Sequence, residues 1–399
     1  MLSLKTDFTL NIRSSYQSTM AIWVRNSMYR LIQTIWFLGM ICVLLPACVL
    51  FPTCTYAHDK NTVIATMNVG ITPDGLAITP DNHYAYVVNN NNYGIAGQDS
   101  VTVLNLKNNT VKTTIFDSSF NEPFRVAITP DGKKAYIANS NGTTLSIIDT
   151  KLNKVIGVIS GFDGPSGIVI TPNGKFAYVN NYGGSEGVGS GNGNTVSVVN
   201  LQTQNIIGTI VVGQAPAALA MSQDGKFVYS INYVDGNPGT GTMSIIKTKT
   251  NTVVDTVYGF FGPFGVVVTP NGKYAYVTNF GSNNFAPFGT TVYVVQLHHD
   301  PKIIKSIDLG IQPSGIACTP NGRFVYVTNY NTLYAGASFT NLTAGRGTVN
   351  IIDTRTHQVI PPTIAVGQSP NFITISPNGK FAYVTNFISN TVDVIQLTD

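Results

Sequence analysis

The chain has 399 residues, of which 43% are hydrophobic, 11% are charged and 10% are aromatic, and its formal net charge is +4. Residues 1–57 hold four of the 23 cations and one of the 19 acids, so residues 58–399 are nearly neutral, with 19 cations and 18 acids. This balance excludes a strongly basic or acidic protein, and the single cysteine beyond residue 57, Cys318, excludes an internal disulfide there.

The first 57 residues differ in kind from the rest of the chain. Leu31–Phe51 is an apolar run preceded by Arg25 and Arg30 and followed by Thr55–Ala57, which matches a small-x-Ala cleavage site. This pattern predicts a secretory signal, and hence an exported protein in the periplasm, at the cell surface or secreted. Because about 20 apolar residues span a bilayer, the same run is long enough to remain as an N-terminal membrane anchor. Leu45–Cys48 also resembles a bacterial lipoprotein box.

One sequence pattern then repeats seven times: a leading proline, an apolar strand, TP[DN]G or a variant of it, and an aromatic-rich strand that ends in Asn. A loop of variable length follows, then an alternating strand such as Thr195–Leu201, a polar turn, and a fourth strand such as Asn205–Gly213. Four short strands without a helical period predict a blade of antiparallel sheet, and repetition of the blade predicts a propeller. The leading prolines, spaced 42 to 57 residues apart, are Pro73, Pro123, Pro165, Pro216, Pro263, Pro313 and Pro370.

The two ends of the repeat array predict how the ring closes. Asn61–Gly70 has the sequence of a fourth strand with no blade before it, and the chain stops at Asp399 just after the third strand Thr391–Leu397. Pairing these segments would complete seven four-stranded blades and cover the exposed sheet edges. We therefore predict an all-β fold, a single seven-bladed β-propeller over residues 58–399, and a monomer.

The second strands carry a family motif. AYVTN stands at Ala382–Asn386, and YVTN stands at Tyr276–Asn279 and Tyr326–Asn329. The repeats over Asn61–Asp399 thus resemble the YVTN β-propeller family, although blade 2 departs from the motif with AYIANS at Ala135–Ser140. The resemblance implies an extracytoplasmic propeller, but the family is functionally diverse, so it implies a fold more firmly than an activity.

Loop length predicts which face of the ring binds. In an antiparallel blade, the connections before the first strand and after the second strand share one face, here called the variable face, while the other two connections share the turn face. The loops after the second strand range from Ile388–Asn390 to the long stretch Asn331–Gly347. Binding residues concentrate on such loops, so we expect the variable face to bind.

Charge is also divided between the two faces. The variable face collects acids against Arg125 and Arg346, and these acids are Asp74, Asp99, Asp117, Glu122, Asp163, Glu186 and Asp235. The turn face has one cation in each of six blades, with His83 in the seventh: Lys133, Lys175, Lys226, Lys273, Arg323 and Lys380. Two interpretations of the basic ring are open. It binds an anionic polymer or nucleic acid, or it consists of solvated turns that nearby acids neutralise.

Residues that open the first strands form the candidate ligand site at the channel mouth: Asp74, Phe124, Arg125, Phe264 and Phe372. The three phenylalanines are expected to form an apolar wall around Arg125 and Asp74, and polar groups in an apolar concavity are typical of ligand sites. In the alternative interpretation, the rings plug the channel and Arg125 pairs with Glu122.

A second aromatic set follows the Asn that ends the second strand in five blades: Tyr182, Tyr233, Phe280, Tyr330 and Phe387. These rim aromatics are suited to stacking on sugar rings or peptides, and equally to packing between blades. The asparagines before them recur in every blade, which favours hydrogen bonding to the backbone at turns over chemistry.

The sequence assigns no catalytic residue. Every histidine after His58 maps to the turn face, away from the varied loops, so none there is placed for base catalysis or zinc binding. Gly183–Gly187 matches GxSxG, but a nucleophile elbow needs a strand before it and a helix after it, whereas this match opens a Gly-rich loop. No cofactor or metal is predicted, although four carboxylates could converge on a divalent cation such as calcium: Asp74, Glu122, Asp163 and Asp235.

Three classes of function follow from these patterns. The first is an exported, non-enzymatic propeller that binds a protein or cell-envelope ligand through the variable face. The second is a metal-dependent lactonase or hydrolase, which needs carboxylates around one ion. The third is a binder of anionic polymer or nucleic acid through the turn face, and contact with membrane is expected only through the N-terminal segment.

Overall fold

The computed structural model describes residues 61–91, 97–184, 192–233, 239–281, 288–334, 342–344 and 346–398. These belong to one compact unit, His58–Asp399. The predicted signal or anchor, residues 1–57, lies outside the described residues. Within the described ranges, no helix has the length and apolarity needed to cross a membrane.

Thirty strands make up the described fold. The first described strand is β1 (Thr62–Asn68). Blade 1 holds β2 (Pro73–Ile78), β3 (Tyr84–Asn89), β4 (Ser100–Asn105) and β5 (Thr110–Ile115). Blade 2 holds β6 (Pro123–Ile128), β7 (Lys134–Asn139), β8 (Thr144–Asp149) and β9 (Lys154–Ser160). Blade 3 holds β10 (Pro165–Ile170), β11 (Phe176–Asn181), β12 (Thr195–Asn200) and β13 (Asn205–Val211).

The later blades follow the same order. Blade 4 holds β14 (Pro216–Met221), β15 (Phe227–Asn232), β16 (Gly241–Lys247) and β17 (Thr252–Phe260). Blade 5 holds β18 (Pro263–Val268), β19 (Tyr274–Gly281), β20 (Phe288–Gln296) and β21 (Lys302–Asp308). Blade 6 holds β22 (Pro313–Cys318), β23 (Phe324–Asn329), β26 (Arg346–Asp353) and β27 (Gln358–Gln368), with a two-stranded excursion, β24 (Thr332–Tyr334) and β25 (Leu342–Ala344). Blade 7 holds β28 (Pro370–Ile375), β29 (Phe381–Asn386) and β30 (Thr391–Gln396).

Each blade is a four-stranded antiparallel sheet, and the blades form a closed ring. The first strand of every blade contacts the first strand of the next one, and β28 contacts β2. Strand β1 pairs antiparallel with β30, so blade 7 has the order β1-β30-β29-β28. The predicted seven-bladed propeller, closed by the N-terminal strand, is therefore confirmed.

At the ring joint, two separate segments of the chain form the same turn that one continuous segment forms between the third and fourth strands of blade 2. In blade 2 the Asn153 N–H donates to the Asp149 carbonyl at 2.8 Å, with Asn153 at a φ of 52°. At the ring joint Asn61 takes the same position with a φ of 62°, and its N–H donates to the Gln396 carbonyl at 2.7 Å. The segments around Asn61 and Gln396 therefore meet as the two halves of one third-to-fourth-strand turn.

Neighbouring blades share small apolar cores. Blades 1 and 2, for example, bury Tyr86, Val101, Val126 and Ile137 together. The second-strand tyrosines also cross to the next blade: the Tyr86 hydroxyl donates to Asn153 Oδ1 at 2.6 Å. Tyr178 reaches Asn251 in the same way, and Tyr326 reaches Asn61. These neighbouring blades are thus held together both by apolar burial and by a hydrogen bond, whereas the Tyr136 hydroxyl of blade 2 is buried without a partner among the described residues.

The nearly identical turns between first and second strands have a common cause. In blade 2 the Thr129 hydroxyl donates to Asp131 Oδ1 at 2.6 Å, the same carboxylate oxygen accepts the Lys133 N–H at 3.1 Å, and Gly132 supplies a φ of 72°. Blade 4 has Ser222 in place of the threonine, and its hydroxyl makes the equivalent bond to Asp224 at 2.7 Å. The turn residues are therefore fixed by local hydrogen bonding, which leaves variation to the opposite face.

Candidate functional site

A cavity of about 290 Å³ opens on the variable face, around the ring axis. Its lining has two chemically different halves. Blades 3 to 7 supply aromatic rings, which are Tyr182, Tyr233, Phe264, Phe280, Tyr330 and Phe387. Blades 1 and 2 supply one ring, Phe124, and otherwise polar groups, which are Asp74, Asn90, Glu122, Ser140 and Asn141, with Asn371 from blade 7. The cavity is therefore amphipathic across its width.

The division arises at one position of the repeat, the residue after the second-strand asparagine. Blades 3 to 7 have an aromatic residue there, whereas blade 1 has Asn90 and blade 2 has Ser140. In every blade the N–H of this residue donates to the carbonyl of the residue before the leading proline, as Ser140 does to Glu122 at 3.0 Å. The backbone is thus the same around the ring, and only the side chains create the two halves.

The residue before each leading proline has a left-handed backbone in all seven blades. The φ values lie between 47° and 56°, at Thr72, Glu122, Gly164, Ala215, Gly262, Gln312 and Ser369. Glycine adopts this conformation without strain, whereas a residue with a longer side chain does so at a cost. Blade 2 alone places a charged residue at this position, and Glu122 lines the cavity.

Asp74 and Arg125 form a buried ion pair beneath the cavity. Arg125 Nη1 donates to Asp74 Oδ1 and also to the Phe124 carbonyl at 3.0 Å, and the two side chains are 10% and 1% exposed for arginine and aspartate respectively. Burial raises the pKa of Asp74, and the Arg125 charge opposes this rise. The alternative prediction that Arg125 pairs with Glu122 is wrong, because adjacent first strands bring Asp74 against the guanidinium.

Three phenylalanines surround the guanidinium. Arg125 Cζ lies 4.0 Å from the ring centroid of Phe124, 4.8 Å from that of Phe372 and 5.9 Å from that of Phe264. Cations are attracted to aromatic faces at these distances. The five residues predicted for the channel mouth are therefore brought together, as an internally satisfied group.

This group separates two spaces along the axis. Asp74, Phe124 and Phe264 line the upper cavity, while Arg125, Phe264 and Phe372 line a smaller one of about 120 Å³ below it. The lower space is enclosed by first strands that approach closely, since a Cβ on Gly315 would lie 2.7 Å from the Phe372 Cα atom. The rings therefore also fill the channel, and the upper cavity is the more open of the two.

The rim aromatics pack against one another as well as lining the cavity. Ring centroids of Phe280 and Tyr330 are 5.8 Å apart, and those of Tyr330 and Phe387 are 6.2 Å apart. Tyr233 donates its hydroxyl to the Gly281 carbonyl at 2.9 Å. Tyr233, Phe280, Tyr330 and Phe387 are each at most 8% exposed, so their packing between blades is established. Stacking of a ligand on them stays a prediction.

Glu122 lies in the polar half next to a second carboxylate, Asp99. Asn141 Nδ2 donates to Glu122 Oε1 at 3.3 Å, and the Glu122 N–H stabilises the Asp99 carboxylate. Burial raises the pKa of Glu122, and the neighbouring negative charge of Asp99 raises it further. Burial likewise raises the pKa of Asp99. Among the described residues, no cation forms an ion pair with either carboxylate.

The second-strand asparagines are buried in all seven blades and hold the sheet together near the cavity. Asn139 Nδ2 donates to the hydroxyls of Thr144 at 2.9 Å and Ser146 at 3.0 Å. Its Oδ1 accepts the Asn121 N–H at 3.4 Å. The predicted bonding to the backbone is thus present. The asparagines also donate to hydroxyls on the third strand, which we did not predict although Ser or Thr recurs on those strands.

Several predicted features fall elsewhere. Asp235, Glu186 and most of the GxSxG match lie outside the described residues. Asp163 does not line the cavity, and within the described ranges no group of three or more His, Cys, Asp or Glu side chains is arranged to hold a metal ion. On the turn face, Lys226 lies 3.0 Å from Asp224 and Lys133 lies 3.6 Å from Asp131. The predicted neutralisation of turn cations by nearby acids is present at these two sites.

Comparison with known proteins shows the fold alone. No family model matches the chain, and no curated protein matches it. Among solved structures, the chain is similar to Kuenenia stuttgartiensis hydrazine synthase, with a TM-score of 0.67 and 22% sequence identity. The match covers 86% of this chain and 99% of that chain. At this level of identity the likeness supports the propeller architecture and carries no activity across.

Proposed function

We propose that this protein is an exported, non-enzymatic binding propeller of the YVTN type, which captures a protein or cell-envelope ligand in the cavity on its variable face. The observation that carries the proposal is the amphipathic cavity, in which aromatic rings and polar groups meet around the ring axis. Concave sites that are mostly apolar with a few convergent polar groups are the usual form of a binding site.

The YVTN assignment is supported by the role of each motif residue. Tyr326 reaches the next blade through Asn61, and Thr385 donates its hydroxyl to the Asp74 carbonyl of the next blade at 2.8 Å. Asn386 Nδ2 donates to the Thr391 hydroxyl of its own third strand at 3.0 Å. Tyrosine, threonine and asparagine thus each make a bond that a repeated blade needs. Export rests on the leader pattern within residues 1–57.

Neither alternative function gains a specific observation in its favour. A metal-dependent hydrolase would need free convergent carboxylates, whereas Asp74 is engaged by Arg125. A turn-face binder of anionic polymer would need free cations, whereas Lys133 and Lys226 lie beside acids. Thermal unfolding with calcium or with EDTA tests the first alternative, because a ligand of the folded state raises the midpoint. Retention on heparin or DNA at rising salt tests the second.

The proposal is tested by filling the polar half of the cavity with the residue that the other blades use. Ser140→Phe introduces in blade 2 the ring that blade 5 has in Phe280 and blade 7 has in Phe387, so the fold should tolerate it. Full-length wild-type and variant proteins are incubated with a native envelope extract, and retained material is identified by mass spectrometry. We expect retention by the wild type and its loss in Ser140→Phe.

The matched control is Lys175→Ala on the turn face, which should retain the same material as the wild type. Equal retention by wild type and Ser140→Phe would contradict a role for the cavity. Loss of retention in Lys175→Ala with retention in Ser140→Phe would instead place binding on the turn face.

A further inference from the structure

We propose that the cavity on the variable face takes an organic ammonium ligand, whose cationic nitrogen is bound by Glu122 and whose apolar body lies against the aromatic half. This inference rests on the proposed binding function and names the ligand class for the same site. It is carried by the charge, the backbone and the lining of the cavity.

Charge in the cavity is unbalanced on one side. Arg125 is committed to Asp74 and to the Phe124 carbonyl, so this pair is neutral as a unit. Glu122 is the other carboxylate in the lining, and among the described residues it has Asn141 as a hydrogen-bond donor but no ion-pair partner. The nearby Asp99 carboxylate adds negative potential behind it. A cation entering the polar half would supply the missing charge.

The backbone at Glu122 indicates that the carboxylate is not needed for folding. Its φ of 48° is left-handed, as in every blade at this position, where blades 3 and 5 have glycine and the others have Thr72, Ala215, Gln312 and Ser369. A non-glycine residue there costs on the order of 1 kcal/mol relative to glycine. Because uncharged residues hold this position in the six other blades, the repeat does not require a carboxylate there, and the charge of Glu122 is available for binding.

The apolar half distinguishes an organic cation from a metal ion. Phe280, Tyr330 and Phe387 are at most 8% exposed, so they present limited surface to the cavity. This geometry fits the insertion of an apolar body better than the stacking of a sugar ring. A hydrated metal ion would gain nothing from the aromatic half, and calcium needs about six to eight oxygen ligands.

The pH dependence follows from the ionisation of Glu122. Asp99, the Asp74–Arg125 pair and the ligand itself are the charged groups around it. An alkylammonium group has a pKa of about 10 and stays charged throughout. Burial raises the pKa of Glu122 above 4.5, so its carboxylate forms only as the pH rises beyond that value. Binding of the amine should therefore strengthen with rising pH and release protons.

The test is calorimetric titration of the full-length protein with four probes at pH 5 and pH 8. These are 2-phenylethylamine, its neutral analogue 2-phenylethanol, methylammonium without an apolar body, and calcium chloride. We expect 2-phenylethylamine to bind at least about tenfold more tightly than each other probe, as a charge-assisted hydrogen bond combined with apolar burial requires. Its affinity should be higher at pH 8 than at pH 5.

Two variants test the role of the carboxylate. Glu122→Gln keeps the size of the side chain, and Glu122→Gly relieves the left-handed backbone, so its thermal midpoint should equal or exceed that of the wild type. Both should weaken 2-phenylethylamine binding at least about tenfold and remove the rise with pH. Asp163→Asn is the matched control, because it removes an acid of the same face that does not line the cavity. It should keep the affinity within about twofold, since a carboxylate outside the cavity lining makes no contact with the ligand.

Equal affinity for the amine and the alcohol, preference for calcium, or an affinity unchanged by both Glu122 variants would each overturn the inference. Failure of this inference is distinguishable from failure of the proposed function. If Ser140→Phe abolishes the retention of envelope material while 2-phenylethylamine does not bind, the ligand class is wrong and the binding site stands. If nothing is retained and no probe binds, both are wrong.

Discussion

Removal of the buried ion pair tests how the propeller tolerates charge at its centre. We consider Asp74→Asn, which keeps the volume of the side chain but leaves the Arg125 guanidinium without a counter-charge. Conversely, Arg125→Met leaves the buried Asp74 carboxylate without a counter-charge. The double variant removes both charges. Lys226→Met, which breaks the turn-face pair with Asp224, is the control.

The magnitudes follow from exposure. Arg125 and Asp74 side chains are 10% and 1% exposed, and breaking such a pair from one side typically costs about 3–5 kcal/mol. Removing both charges is often close to neutral, so the double variant should recover most of the loss. The Lys226 and Asp224 side chains are 73% and 50% exposed, and such surface pairs contribute about 0–1 kcal/mol. The two pairs should therefore differ severalfold.

Urea unfolding followed by far-ultraviolet circular dichroism measures the free energy of unfolding of the wild type and the four variants. Thermal unfolding gives a second readout. At about 2.1 cal/mol/K per residue, the unit His58–Asp399 has an unfolding entropy of about 0.7 kcal/mol/K. A loss of about 3–5 kcal/mol in stability therefore corresponds to a thermal midpoint lowered by about 4–7 °C. A loss in Asp74→Asn no larger than that in Lys226→Met would refute the reasoning. So would a double variant as unstable as the sum of the two single ones.

The Arg125→Met variant also has a predicted pH dependence. Burial raises the pKa of Asp74 above 3.8 even beside Arg125, so without the arginine the folded state should bind a proton more tightly than the unfolded state. Its stability should therefore increase as the pH falls toward 3.8, because protonation relieves the buried charge. A stability that decreased over this range would show that the carboxylate finds another partner.

Three further predictions concern the ring joint, one interblade contact and the cysteine. Asn61→Gly keeps the left-handed backbone but leaves the buried Tyr326 hydroxyl without its acceptor. Urea unfolding should therefore show a free energy of unfolding lower by about 1–3 kcal/mol. Asn61→Asp retains an acceptor and should lose less stability. His357 contacts the Tyr276 hydroxyl at 2.6 Å, and burial lowers the pKa of His357 below 6.5. The free energy of unfolding should therefore fall as the pH drops through 6.5, because the folded state resists protonation of this ring. Denaturation curves of His357→Asn, which introduces the residue found in the equivalent turns of blades 2 and 4, should lack this fall. Burial raises the pKa of Cys318 from 9.0 to about 12, so its thiol should react with iodoacetamide about a thousandfold more slowly in the folded protein than in urea. Mass spectrometry of the peptide that contains Cys318 measures both rates. Comparable rates would contradict the burial of the thiol.

The fold could be predicted from the sequence because the same strand alternation, turn residues and leading proline recur in each blade. Asn61–Gly70 was recognisable as a fourth strand since its alternation matched that of internal fourth strands, and β1 lies within it. The blade count followed from the leading prolines, which all begin a first strand. Local turn chemistry and period-two patterning therefore determined the architecture without long-range information.

The site was less predictable because its contacts join blades. Glu122 is three residues from Arg125 in the chain, which favoured pairing between them, but its left-handed backbone and the extended strand that follows separate the two side chains. Asp74, 51 residues away, is brought in by the neighbouring first strand. The two halves of the cavity did leave a signal, because Asn90 and Ser140 interrupt the aromatic position in blades 1 and 2.

The meeting of residues 61 and 398 at the ring joint has a practical consequence. Asn61 Nδ2 lies 3.3 Å from the Thr398 hydroxyl, on the side of the ring opposite the cavity. A short peptide linking these positions would close residues 61–398 into a circle, so new termini could be placed in a surface turn without breaking a strand. A support attached at this joint would also hold the molecule with its concave side facing the solution, which suits it to immobilised capture assays.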